Sequence, residues 1–144
     1  MRPFFPSVAT VIAFAAALAA CTGVGPRERA AVRLAEFEQA AGAAVEDFHF
    51  WRLDGWETLG PTAIAVWTRP NEAWLIRIKS PCSGLEFAHG IGLTSTHGRV
   101  YRRFDAVLFE HQRCRIAEIR PVDGRALKIE RRARAEREKS TAGD

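Results

Sequence analysis

The hydrophobic and polar residues divide the chain into an apolar start, a helical segment, a strand-rich centre and a basic end. From Pro26 to about Glu46, apolar side chains recur at helical spacing and form one stripe, made of Leu34, Phe37, Ala41, Ala44 and Val45. Proline is favoured in the first turn of a helix, where its missing N–H would have no partner. We therefore predict an N-terminal helix that packs on the rest of the domain.

In the centre, aromatic and β-branched residues form runs that turn residues interrupt, a pattern typical of antiparallel strands. The predicted strands cover residues 48–53, 63–68, 73–79, 99–109 and 114–120. Within 73–79 two sets of side chains alternate, which indicates a sheet with one wetter face. Pro121 is expected to end the last strand because it lacks a backbone N–H. Gly90 and Gly92 leave residues 85–93 ambiguous, since glycine weakens both helix and strand.

A final helix is predicted from about Gly124 to Lys139, with Asp123 as its N-terminal cap. Its few apolar residues lie near its start, so the first turns are expected to dock on the domain and the rest to be solvated. Together these elements predict an α+β fold. It is an antiparallel β-meander that can curl into a partial barrel, with an N-terminal helix and a basic C-terminal helix.

The composition fits one folded domain. The chain has 144 residues, of which 47% are hydrophobic, and a formal net charge of +4. This length suits a single domain. The composition excludes collagen-like, low-complexity and wholly disordered proteins, and three cysteines are too few for a disulfide-dense miniprotein.

The start of the chain has the features of an export signal. A positive residue, Arg2, precedes an apolar run of about 13 residues that is short for a membrane-spanning helix. The run ends in Leu18-Ala19-Ala20-Cys21, which resembles the lipobox of bacterial lipoproteins. That resemblance implies that Cys21 receives a diacylglyceryl group on its sulfur. Cleavage after Ala17-Leu18-Ala19 is the alternative, and it would leave an exported protein without lipid.

Lipidation would divide the chain into four parts. Residues 1–20 would be removed, 21–25 would form a lipidated tether, 26–124 the α+β domain and 125–144 a basic helical tail. The tether reaches less than roughly 20 Å, so the domain would lie close to the lipid head groups. The expected location is a membrane facing the periplasm, and Thr22, in place of an aspartate after the cysteine, favours the outer membrane.

The two remaining cysteines, Cys82 and Cys114, are an even pair that would meet an oxidising compartment after export. Such a pair favours a disulfide. Two buried thiols are an alternative. So is a metal site that also uses His89 and His97, although no Cys-x-x-Cys pair is present. We expect neither a metal nor a cofactor.

A family resemblance rests on motifs between Trp51 and Asp123. They are Leu53-Asp54-Gly55-Trp56, the run from Val66 to Ala73, Ile91-Gly92-Leu93-Thr94-Ser95-Thr96, Arg103-Phe104-Asp105, Cys114-Arg115-Ile116 and Ile119-Arg120-Pro121-Val122-Asp123. As a set they resemble a family of small exported proteins of Gram-negative bacteria that is known only as a domain of unknown function. The resemblance implies pairing of Cys82 with Cys114 and an envelope location, and it supplies no reaction or ligand.

Three residues could be arranged as a hydrolase triad, namely Ser95, His97 and Asp105. The sequence lacks the Gly-x-Ser-x-Gly turn that presents such a nucleophile. The simpler interpretation is that Ser95 and His97 lie in a polar turn. An enzyme is therefore the less favoured class.

Four side chains are candidates for ligand or surface contacts. Trp67 and Trp74 belong to a set of four tryptophans that either pack across strands or offer a binding platform. A strand aspartate such as Asp105 is unfavourable unless it is paired or exposed, so it either makes a structural bond or contacts a ligand. Arg103 lies two residues before it.

The basic end carries seven Lys or Arg residues and three Glu between 124 and 142. An exported protein would not meet nucleic acid, so we do not expect nucleic acid as a partner. Anionic lipid next to a tethered protein would attract such a helix. A solvated helix with ion pairs along its own surface is the simpler interpretation. The favoured function is a non-enzymatic accessory or binding module that contacts an envelope protein, peptidoglycan or anionic lipid. A small hydrolase using Ser95, His97 and Asp105 is the alternative.

Overall fold

The structure is a computed structural model that describes residues 23–143, so the predicted leader 1–20 and the predicted lipidation site Cys21 lie outside the described residues. The helices are α1 (Pro26–Ala40) and α2 (Gly124–Ala142), and a 3-10 turn spans Leu85–Phe87. The strands are β1 (Asp47–His49), β2 (Gly55–Thr58), β3 (Ala63–Arg69), β4 (Glu72–Ile78), β5 (Gly92–Leu93), β6 (Arg99–Tyr101), β7 (Ala106–Phe109) and β8 (Gln112–Asp123). Within residues 23–143, no helix has the length and hydrophobicity needed to cross a bilayer.

Six strands form one antiparallel sheet in the order β2-β3-β4-β8-β7-β5, and this sheet curls into a half-barrel. The other two, β1 and β6, pair with each other as a separate antiparallel ribbon. The predicted α+β fold with a partial barrel and a helix at each end is therefore confirmed. The connections β3–β4 and β7–β8 are tight hairpins, as expected of a meander.

The large sheet is buried on both faces at β3 and β4. Alternate side chains of these strands point to a face covered by the β1–β6 ribbon, which we call the ribbon face: Ile64, Val66, Trp74, Ile76 and Ile78. The others point to a face covered by the two helices, which we call the helix face: Ala63, Ala65, Trp67, Ala73 and Leu75. The prediction of a wetter face was wrong for β4, because Leu75 is buried beneath the helices.

Helix α1 ends six residues earlier than predicted. From Ala41 the backbone is extended and pairs with the edge of β8, since Gly42 N–H donates to Pro121 O at 2.8 Å and Val45 N–H donates to Ile119 O at 2.9 Å. Pairing with the sheet therefore overrides the helical propensity of this alanine-rich segment. Of the predicted stripe, Leu34 and Phe37 remain on the helix and pack on the core.

Pro121 does not end the last strand, because β8 continues to Asp123. In an extended strand the N and O atoms of one residue point to the same edge. Since Pro121 O accepts from Gly42 on the edge away from β4, its missing N–H also faces that edge. The proline therefore removes no hydrogen bond from the ladder between β4 and β8.

The long strand predicted at 99–109 is two strands that belong to different sheets. Strand β6 pairs with β1, and β7 pairs with β8 and β5. Between them the chain turns at residues 102–104, where Asp105 N–H donates to Tyr101 O at 2.9 Å. The ambiguous segment 85–93 contains the 3-10 turn and β5, and the predicted strand 48–53 shortens to β1.

A disulfide joins Cys82, in the loop after β4, to Cys114 in β8. The predicted pairing is therefore confirmed over two thiols or a metal site. Cys114 is fully buried among the ribbon-face residues, so the bond ties the loop 79–91 to the core. In the part of the chain that the structure describes, no group of three His, Cys, Asp or Glu side chains could hold a metal.

Candidate functional site

Asp105 has a structural role in the turn between β6 and β7. Its side chain is buried, one oxygen accepts from Thr94 Oγ1 at 2.6 Å, and the other accepts from Tyr101 N–H at 2.8 Å. Thr94 Oγ1 in turn accepts from Ala106 N–H at 2.9 Å. These bonds give the buried carboxylate two donors and satisfy the N–H groups of Tyr101 and Ala106 on either side of the turn.

The structure does not bring the three triad candidates into one hydrogen-bonded group. Ser95 and His97 are exposed, whereas Asp105 is buried. His97 has a left-handed backbone, with φ at 53°, in the turn before β6. Among the hydrogen bonds of residues 23–143, none joins Ser95 or His97 to Asp105, whose two oxygens already have other donors.

Arg103 faces the carboxylate of Glu46 and not that of Asp105. It is exposed, and its Nε lies 3.4 Å from Glu46 Oε2. Arg102 binds the same carboxylate at 2.7 Å. The hydrogen bond from Arg102, aided by the charge of both arginines, holds the pKa of Glu46 below its ordinary value.

The two candidate tryptophans lie on opposite faces of the sheet. On the ribbon face, Trp74 stacks on Phe48 with ring centroids 4.7 Å apart, and its Nε1 donates to Thr68 Oγ1 at 3.2 Å. On the helix face, Trp67 meets the edge of Phe37 at 6.2 Å, and Lys128 Nζ lies 5.3 Å above its ring. Both rings are partly buried and do not share a surface.

Three aromatic side chains are far more exposed, of which the first is one of the four tryptophans considered from the sequence and the other two were not candidates. They are Trp51 at 93%, Phe87 at 74% and Phe104 at 76%. They lie after β1, in the 3-10 turn and in the turn after β6. Irregular segments have no periodic pattern, so the sequence could not show which of their aromatics would face solvent.

A shallow, open groove of about 440 Å³ lies beside the tip of the β7–β8 hairpin. It is lined by Gly90, Ile91, Gly92, Leu108, Phe109, Glu110, His111, Gln112 and Arg113. Glu110 and His111 form the two-residue turn and both have positive φ, which favours glycine or asparagine. His89 N–H donates to Glu110 at 3.3 Å, and this bond together with the His89 ring lowers the pKa of Glu110.

The net charge of the described residues comes from α2 alone. Between residues 41 and 123, ten Lys or Arg residues balance ten Asp or Glu residues, and in α1 three balance three. Helix α2 carries seven Lys or Arg residues against three Glu. The molecule is therefore an electrically balanced body with one basic helix, and α2 is the candidate functional surface.

Helix α2 begins with a well-defined attachment to the body. Asp123 caps it, since Oδ1 accepts from the N–H groups of Arg125 at 2.9 Å and Ala126 at 3.0 Å. Gly124 lies against Trp67 so closely that an added Cβ would stand 2.5 Å from the ring. Leu127 is buried with Phe37 in the helix-face core. The predicted cap and docking of the first turns are confirmed.

Two arginines of α2 turn inward. Arg131 binds Glu36 of α1 at 3.1 Å, lies 3.5 Å from Glu57 of β2, and covers the Phe37 ring. Arg134 also pairs with Glu36. Within residues 23–143, the salt bridges of α2 thus run to other elements and none runs along the helix, in contrast to the ion pairs expected for a solvated helix.

Three basic residues point outward on one side of α2. Arg125, Arg132 and Lys139 are all exposed, and they recur every seven residues. Seven residues are close to two helical turns, so these side chains lie in one row. No acidic group of residues 23–143 is within salt-bridge distance of any of them. We call Arg125, Arg132 and Lys139 the outer basic row.

The sequence matches one family, described as a family of unknown function (DUF6491), over residues 5–138. This match covers most of the chain and includes every strand of the described fold. Neither the curated proteins nor the solved structures contain a match.

Proposed function

The chain belongs to this family of unknown function, and we propose that it is a lipid-anchored cell-envelope protein that works as a non-enzymatic accessory or binding module. The anchor is proposed from Leu18-Ala19-Ala20-Cys21 after a short apolar run, with Cys21 as the lipidated residue. The disulfide between Cys82 and Cys114 supports export, because such bonds persist in oxidising compartments.

The observation that carries a binding role is the concentration of net positive charge on α2. A balanced body with one basic helix has a surface suited to contact with an anionic partner. The alternative, a hydrolase, has less support than a binding module. Both oxygens of Asp105, a residue of the candidate triad, already accept hydrogen bonds from Thr94 and Tyr101. Within this proposal the protein faces the periplasm, and Thr22 favours the outer membrane.

The anchor is tested by expressing the full chain in a Gram-negative host and measuring the intact mass of the protein from the membrane fraction. We expect a chain that begins at Cys21 and carries the added mass of the lipid. The Cys21→Ala variant should lose that mass, while Thr22→Ala is a matched control that should keep it. A retained leader or an unmodified thiol at Cys21 in the native protein would contradict the proposal.

A further inference from the structure

We propose that the outer basic row of α2 binds the surface of a bilayer that contains anionic phospholipid. This inference rests on the proposed function, because the lipid anchor would bring the helix to that surface. It goes further by naming the partner and the three side chains, Arg125, Arg132 and Lys139, that contact it.

The geometry of the row suits a flat, extended partner. A spacing of seven residues corresponds to a rise of about 10 Å, so the row extends along roughly 20 Å of one side of the helix. All three side chains are exposed, and from residue 135 to 143 every residue is exposed. The row therefore lies on an exposed side of the helix, and its three residues do not line the shallow groove formed by Arg134, Arg137, Glu138, Thr141 and Ala142.

The charges around the row leave it positive. Arg131 and Arg134 are paired with Glu36, and Lys128 is held near Pro70 O and Asn71. The remaining acids of the helix are Glu130, Glu136 and Glu138, of which Glu136 lies one turn beyond Arg132. The basic residues not engaged in this way are Arg125, Arg132, Arg137 and Lys139, so they exceed the three glutamates by one charge, and the outer basic row itself holds three of them on one side of the helix.

The helix lacks the apolar side needed for insertion into a membrane or for a hydrophobic interface. Ile129 is the large hydrophobic residue of α2 that is exposed, at 61%, among the described residues. Binding through the row is therefore electrostatic. An anionic lipid surface fits this chemistry, because it presents many phosphates in one plane and requires no specific pocket.

Chain length also places the helix near lipid. Helix α1 begins at Pro26, and the five residues from Cys21 to Gly25 span less than roughly 20 Å even when extended. An anchored domain could not move further than that from the head groups. Each basic residue near an anionic surface strengthens binding about five-fold, so loss of the row should weaken the contact about 100-fold.

The test is hydrogen exchange, followed by mass spectrometry, of the purified protein on lipid nanodiscs. One set of discs contains phosphatidylglycerol and phosphatidylcholine, and the other contains phosphatidylcholine alone. We expect peptides covering 125–142 to exchange more slowly on the anionic discs only, and we expect high salt to remove the difference. The variant R125Q/R132Q/K139Q should lose it as well.

A matched control distinguishes the effect of losing the outer basic row from the effect of lowering the total charge of the protein. The variant K79Q/R113Q/R115Q removes three positive charges from exposed positions in β8 and just after β4 and should keep the slow exchange. Equal loss in both variants, no effect of anionic lipid, or slowing by soluble peptidoglycan fragments in place of lipid would overturn the inference.

The intact mass of the same sample shows independently whether the protein carries the lipid anchor. If it shows no lipid, the proposed anchor fails, and the protein is added to the discs from solution so that the row is still tested. A lipidated protein whose helix exchanges equally on both kinds of disc would leave the anchor standing and overturn the inference.

Discussion

The two faces of the large sheet are built from different residues and serve different purposes. On the ribbon face, β3 and β4 present isoleucine, valine and tryptophan, and the core there includes Cys114 of the disulfide. On the helix face the same strands present mainly alanine, and α1 and α2 cover them. Large β-branched side chains bury more apolar area per residue than alanine does. The ribbon face should therefore supply most of the stability.

The helix face, in contrast, depends on close approach and polar contacts. Alanine at Ala63, Ala65 and Ala73 leaves room for the helices, and Gly124 lets α2 start against Trp67. Glu36 then joins α1 to α2 through Arg131 and Arg134. Because so little of α2 is buried, most of its length can vary in charge without disturbing the core.

Removal of the disulfide should have the largest effect, and it tests the ribbon face. For the variant C82A/C114A, we expect the free energy of unfolding, from urea titration, to fall by about 3–4 kcal/mol, since the bond closes a loop across a sequence separation of 32. Alanine is chosen because Cys114 is fully buried. Reduction of the wild-type protein should produce a similar loss, and a loss below about 1 kcal/mol would show that the bond adds little.

Gly124→Ala tests the attachment of α2 on the helix face. The added Cβ would stand 2.5 Å from the Trp67 ring and 2.9 Å from the Asn71 backbone, so either the turn between β3 and β4 or the start of α2 must shift. We expect a loss of about 1–3 kcal/mol in urea unfolding and a change in tryptophan fluorescence. Gly90→Ala is the matched control, because an added Cβ there meets nothing within 4 Å. Equal stability of the two variants would mean that α2 is not docked as described.

Asp105→Ala tests the junction between the ribbon and the half-barrel. It leaves the Tyr101 N–H and the Thr94 hydroxyl without their acceptor, so we expect a loss of about 1–3 kcal/mol in thermal or urea unfolding. Asp105→Asn keeps one acceptor oxygen and should lose less. An Asp105→Ala variant as stable as the wild type would refute the structural role and favour the alternative, in which Asp105 contacts a ligand.

Asp123→Ala removes the cap of α2 on the helix face. Since Asp123 Oδ1 accepts two backbone N–H groups, we expect a loss of about 1 kcal/mol and a lower helical signal in circular dichroism. Asp123→Ser, which can also cap, should restore most of both. No difference between alanine and serine would contradict the capping geometry.

The smallest effect is expected for the outer basic row. R125Q/R132Q/K139Q changes exposed side chains without salt bridges to other described residues, so urea unfolding should change by less than about 0.5 kcal/mol. A large loss of stability would show that the row supports the fold and would weaken its assignment as a contact surface.

The sequence predicted those features that depend on local chemistry. The cap at Asp123 and the alternation of strands with turns follow from residue type, and the pairing of Cys82 with Cys114 follows from an even pair of cysteines in an oxidising compartment and from the family resemblance. The features it missed depend on tertiary pairing. Ala41 to Val45 looks helical until β8 offers a strand edge, and Pro121 looks like a strand end until the direction of its N atom is known.

The candidate surface was predictable in outline only. The basic end and the interval between Arg125, Arg132 and Lys139 are visible in the sequence. Which arginines turn inward was not, because that depends on Glu36 and Glu57, which come from two other elements. The wetter face predicted for residues 73–79 was wrong for a similar reason, because α1 covers it and Arg77 there pairs with Glu38 of α1 and with Glu118 of β8.

The most direct test of the contrast between the two faces is native-state hydrogen exchange of the disulfide-bonded protein in solution. We predict that amides of β4 and β8 exchange only through global unfolding, while amides 136–142 of α2 exchange much faster, through local opening of the exposed helix end. Such a result would mean that the ribbon face stabilises the fold and that the end of α2, which carries Lys139 of the outer basic row, is exposed and available for contact. Protection at 136–142 equal to that of β8 would contradict this account.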